Sequence, residues 1–186
     1  VSGLLGLALI VMIAILIRRS TLARQREEWL QSGQVGLATA VMGDQPVEQL
    51  GNNVLEFLAR YTGAVAGAIY TGTGGQFRRA AVYGVPEGAG VLERFGPRHG
   101  LLGQAVAENR SLLVSDVPDD YISFGAALGH SKPRHLAIMP ASADGAVNAV
   151  IELGFIRPVS PRVLDLLTQA SGAMAAAVRS ALYREQ

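Results

Sequence analysis

The chain opens on VSGLLGLALIVMIAILI, residues 1–17, with no charge and one polar side chain, Ser2, before Arg18 and Arg19 end the run. Water will not tolerate such a segment uncovered, so it is a core helix, a secretory signal or a membrane span. As a helix rising 1.5 Å per residue it reaches roughly 25 Å, a little less than the ~30 Å hydrocarbon core of a bilayer. The chain does not begin with Met, and the span is expected to continue upstream of Val1. A secretory signal carries its basic residues before the apolar run and a small-x-small cleavage site after it. Here Arg18, Arg19, Arg24 and Arg26 all follow the run, which by the positive-inside rule places the rest of the chain in the cytoplasm. The expectation is one transmembrane helix over 1–17.

What remains suffices for one ordinary domain with its own core. A formal net charge of +1 gives no general pull toward nucleic acid, and no nucleic-acid partner is expected. There is no cysteine, which excludes disulfides, thiolate metal sites, thiol nucleophiles and cysteine-linked chromophores.

Residues 18–43 are expected to form a signalling or linker helix. Leu22, Trp29, Leu30, Leu37 and Val41 make one apolar stripe, while Gly33 and Gly36 weaken the helix. The stripe suits a short parallel coiled coil with a second copy. Trp29 lies about twelve residues beyond the apolar run, too far for an interfacial anchor, and is expected to pack against that partner helix. A second helix is expected to begin near Asp44 as cap, with Pro46 in its first turn. Val47, Leu50, Val54, Leu58 and Tyr61 share one face, and Gly63 stops it.

After Gly63 the period changes from 3.6 to 2. Residues 64–72 read as a strand, Thr71–Gly75 as a turn, and 76–85 as the returning strand, with Phe77, Ala81 and Tyr83 on one face and Arg78 and Val82 on the other. Residues 98–110 read as a turn into a short helix, 111–117 as a short strand, and 119–135 as a loop or short helix. A hairpin closes around Asp144-Gly145, and its second strand alternates Val147, Ala149, Ile151, Leu153 and Phe155 on one buried face. Ser160-Pro161 caps a final helix whose buried stripe is Val163, Leu167, Ala170, Met174, Ala177 and Ala181. This order implies an α+β domain over 44–186: an antiparallel sheet with the terminal helices on one face and irregular segments bounding a cavity on the other.

The tempting motifs have plainer readings. The glycine run at 71–75 precedes a strand and has no nearby Lys, so it is a hairpin turn rather than a phosphate loop. Asp116, Asp119 and Asp120 lack metal-ligand spacing. His130 and His135 flank Lys132 and Arg134 in a basic surface loop, and no nucleophile elbow accompanies the Ser, His and Asp residues. No metal and no catalytic residue is assigned.

Residues 46–183 resemble a GAF domain, a relative of the PAS fold. The resemblance is carried by VEQLGNNVLEFLARYTGAVAGAIYT, by HGLLGQAVAENRSLLVSDVPDDY with its GxxGxA turn-helix at Gly100–Ala105 and Asp116-Val117 pair, and by the closing hairpin and final helix. The junction REEWLQSGQVGLATAVMGDQPVEQL is similar to that of membrane-bound hybrid sensor histidine kinases. The resemblance implies a sensory module at the bacterial inner membrane with its domain cytoplasmic, a homodimer through residues 20–60 and 160–186, and a downstream kinase beyond Gln186. No phosphoacceptor His-Glu-x-Arg segment is present, and sulfoxide-reductase and bilin-attaching members of the family need cysteines. A membrane-anchored adaptor that binds a protein partner is the alternative. In such folds the cavity is bordered by segments carrying Tyr70, Tyr83, Arg98, Leu102, Asp116, Tyr121, Phe124, His135 and Met139. These residues either hold a small organic ligand, unidentified, or fill a collapsed core.

Overall fold

A computed structural model describes residues 2–118, 124–126 and 129–186. The first helix, α1, runs without a break from Ser2 to Ala40. Its apolar window is wholly uncovered by the rest of the molecule, which rules out a core helix of this chain. By length and composition it could cross a membrane.

From Trp29 onward α1 joins the body. α2 (Val47–Thr62) runs back along it, and Gly63, in the left-handed region at φ 80°, ends α2 by donating its N–H to the Ala59 carbonyl. Asp44 does not cap α2: Pro46 occupies that position, and Asp44 pairs instead with Arg184 at 3.3 Å. The chain then forms β1 (Ala66–Thr73), β2 (Gln76–Tyr83), the two-residue β3 (Arg94–Phe95), α3 (Gly100–Glu108) and β4 (Leu112–Ser115). β5 (Phe124–Ala126) and β6 (Gly129–Ser131) pair as a small ribbon within the stretch expected to be a loop or short helix. β7 (His135–Ala143) and β8 (Ala146–Phe155) follow, then α4 (Pro161–Arg184). The main sheet is antiparallel in the order β3-β2-β1-β8-β7-β4. Asp144 and Gly145, both at positive φ, turn β7 into β8.

The helix-side core joins Val54, Leu58, Leu167 and Met174 to Ile69, Ile151 and Leu153 of the sheet. On the far face α3 covers Ala68, Tyr70, Ile138 and Val150. β8 is therefore buried on both faces, not one, because it is central in a sheet with helices on both sides.

Two bulges alter the expected alternation. Ile69 pairs with Ala81 but Tyr70 with Arg79, so Ala80 is an extra residue; Ala141 pairs with Ala149 but Ser142 with Val147, so Asn148 is another. Each extra residue inverts the faces beyond it. Phe77 consequently belongs to the far face while Ala81 and Tyr83 pack on the helix side, and Val147 lies opposite Ala149.

The helices also pack differently from expectation. α1 lies in the groove between α2 and α4 of its own chain. Gly33 and Gly36 make this approach possible: a Cβ on Gly33 would meet Leu166 Cδ1 at 2.7 Å, and one on Gly36 would strike the Phe57 ring. Trp29 stacks on Tyr61 at 4.8 Å, and the Arg162 guanidinium lies over the Trp29 ring, 4.6 Å from its centroid. Its partner is thus intramolecular. Leu37 is 2% exposed and Trp29 half-buried, whereas Leu22 stays in solvent, so only the lower part of the expected stripe meets protein.

Candidate functional site

The far face of the sheet is where the expected cavity should lie. Tyr70 rises from the buried centre of β1 and donates its hydroxyl to the Leu92 carbonyl at 2.9 Å. Its ring meets Phe95 edge-on at 5.1 Å, and Phe95 stacks on Phe77 at 5.0 Å. Arg79 reinforces the same strap, its Nη1 donating to the Val91 carbonyl at 2.7 Å and its backbone N–H to Glu93. The segment between β2 and β3 is thereby tied down over the sheet. Leu102 and Ala105 of α3 close the cluster from the other side.

One buried carboxylate belongs to this face. Glu152 is 3% exposed and sits beside Val150 by strand alternation, opposite Ala68 and Ile138. It is the one acidic side chain that is buried among the described residues. Burial drives the Tyr70 phenol well above its ordinary value; the Glu152 charge adds to the rise and Arg79 opposes it. Tyr70 is held neutral as a hydrogen-bond donor. The arrangement can bind and orient, through a phenol, a carboxylate and three aromatic rings, and it presents no nucleophile with an adjacent base.

Of the nine residues expected to border a pocket, Tyr70 and Leu102 come together in this cluster. Tyr83 and Met139 pack on the opposite, helix-side face, and His135 follows Met139 by alternation along β7. Arg98, in the turn before α3, and Asp116, at φ 56°, are exposed. Tyr121 lies outside the described residues, as does the side chain of Phe124. Sequence reasoning missed Glu152, Phe77 and Phe95. Glu152 had a signal, a charge within the apolar run Val-Ile-Glu-Leu; the two Phe residues had none, because the Ala80 bulge and the short β3 place them.

Among the described residues no three His, Asp or Glu side chains converge as a metal site. The helices carry a separate hollow, a groove of about 560 Å³ between α1 and α2 lined by Gly36, Thr39, Asn53, Phe57 and Tyr61.

The GAF domain family profile matches residues 44–179. No curated protein sequence matches the chain. Among solved structures, the GAF domain of a phosphoenolpyruvate-protein phosphotransferase from Coxiella burnetii superposes with a TM-score of 0.68 at 15% identity, covering 84% of this chain and 96% of that one. The corresponding Acinetobacter domain gives 0.66 at 12% identity, covering 87% and 97%. A free methionine-R-sulfoxide reductase from Neisseria meningitidis, solved with its substrate, gives 0.63 at 18% identity, covering 86% and 91%. At these identities the likeness is one of fold.

Proposed function

The chain belongs to the GAF domain family, and on that premise we propose that it is a signal-relay module, tethered to the bacterial inner membrane by α1 and passing a change in helix packing along α4 to an effector. One observation carries the reading: a single unbroken helix joins the uncovered apolar run to the body, and there it lies directly on α4. The two helices run parallel. Arg26 pairs with Asp165, Trp29 meets Arg162, Gly33 abuts Leu166, and Gln34 donates to Gln169. A rotation or shift of α1 therefore reaches the start of α4 without crossing the sheet. The packed far face, with Tyr70, Phe77 and Phe95 in contact, favours this mechanical route over capture of a small molecule.

In the fuller form of the proposal the effector is the kinase of a two-component sensor and the module acts as a homodimer. The dimer surface is not the stripe through Leu167 and Met174, which is interior to the chain at 0% and 1% exposure. It would use the outward residues of α4, such as Ala176 and Tyr183, with Val35 of α1 and Met42 just after it. Native mass spectrometry from lipid discs should find two copies; single copies alone would contradict the dimer.

The relay is tested by fusing the chain to a histidine kinase catalytic unit and inserting one to four alanines after Tyr183. Output should vary with the number inserted and recover near four, about one helical turn. Output indifferent to the insertions would contradict transmission along α4.

A further inference from the structure

The end of the body nearest the apolar run is assembled from several elements. The last turn of α2 reaches α1 there, Tyr61 donating to the Trp29 carbonyl at 2.5 Å, and α4 begins there with Arg162 over the same Trp29. Because β1 follows α2 and β8 leads into α4, the start of β1 and the end of β8 lie at this end too. The start of β7 joins them, His135 pairing with Phe155 and the Arg134 N–H donating to the Phe155 carbonyl. Lys132, Arg134, Arg157 and Arg162 are all exposed on this end, with Ile156 standing 51% exposed among them. Above them on α1 lie Arg18, Arg19 and Arg24, also exposed. The acidic groups among the described residues nearby are fewer: Asp165 is paired with Arg26 and Glu56 with Arg60, leaving Asp116 and Glu87, which follows the end of β2 beside the start of β1, on the body and Glu27 and Glu28 on α1.

We infer that this end of the domain is a docking surface for an anionic lipid bilayer, seated on the same membrane that α1 crosses. The inference rests on the tethering proposed above. The unbroken helix sets the distance, because Trp29 lies about twelve residues, or roughly 18 Å, beyond Ile17. The headgroup layer takes up about 5–8 Å of this. The remaining gap of about 10 Å is comparable to the Debye length at physiological salt and within reach of extended Arg and Lys side chains. Each basic side chain near an anionic surface favours docking by roughly fivefold, so the four on the body outweigh Asp116 and Glu87. Tilt of α1 in the bilayer would close that gap on one side and bring Ile156, an exposed apolar tip between basic neighbours, to the interface. Docking would hold the start of α4 at a fixed height and tilt relative to α1.

The absence of native cysteine makes a single probe clean. Ile156→Cys in the full chain is labelled with a polarity-sensitive fluorophore. The protein is then placed in discs of phosphatidylcholine alone or mixed with phosphatidylglycerol. The expected result is a blue-shifted emission in the anionic discs that reverses at high salt and is lost in the Arg134→Glu, Arg157→Glu variant. Equal emission in both lipids, or a shift that survives the double substitution, overturns the docking surface while leaving the tether intact. Failure to enter either bilayer overturns the tether, and the docking surface with it.

Discussion

Tyr70 ties the far face together, and its energetics are those of a buried neutral donor. Removing its hydroxyl in Tyr70→Phe forfeits the bond to Leu92 and leaves that carbonyl short of a partner, a cost of about 1 kcal/mol. The pH dependence has a definite sign. The folded phenol ionises above its ordinary value of 10.0, so its contribution is present in full below pH 10 and lost as pH rises toward the folded value. Urea titrations should show wild-type stability falling above about pH 10, and Tyr70→Phe should fall less steeply. Parallel declines in the two proteins would show that Tyr70 is not the group responsible. Gly36 makes the converse case, a residue whose value is its lack of a side chain. Gly36→Val should push α1 away from Phe57 at a cost of about 1–3 kcal/mol. The sole tryptophan, Trp29, reports it: the variant's emission should shift to the red as its stacking on Tyr61 loosens.

Among the elements, those with strong local chemistry were legible in the sequence. Gly63 stops α2, Asp144-Gly145 turns β7 into β8, and Pro161 opens α4, each at a place its backbone requirement identifies. The faces were less legible. A bulge such as that at Ala80 or Asn148 has no reliable local signature, and one extra residue was enough to put Phe77 and Val147 on faces opposite to those their spacing implies. Asn148 shows why the second bulge matters: it turns toward α4 and donates Nδ2 to the Ala175 carbonyl at 2.8 Å. The glycines of α1 were legible only as helix-weakening residues, since their role depends on which helix lies across them. The stripe of α4 through Leu167 and Met174 was legible from its spacing, and it is interior to one chain. Leu167→Asp should abolish the cooperative thermal transition, burying an unpaired carboxylate in the helix-side core. A variant that melts normally and merely changes its number of copies would overturn the assignment of this face to the core.

At the scale of the whole molecule, the family match and the fold agree on a GAF domain, and the proposed relay concerns how its helices are wired. α1 is part of the domain's helical layer, packed between α2 and α4, so whatever moves the apolar run moves a helix already in contact with α4. The far-face cluster could be anticipated only as a region, because its members come from β1, β2, β3, α3 and β8 and meet through tertiary packing. In the proposed relay α1 and α4 move against one another during signalling. The most direct test replaces Gln34 and Gln169, whose side chains meet across the two helices, with cysteines in a fusion to a cysteine-free kinase unit. Oxidation should fix kinase output at one level, insensitive to the signal, and reduction should restore the response. A fully formed cross-link that leaves the response unchanged would contradict the relay.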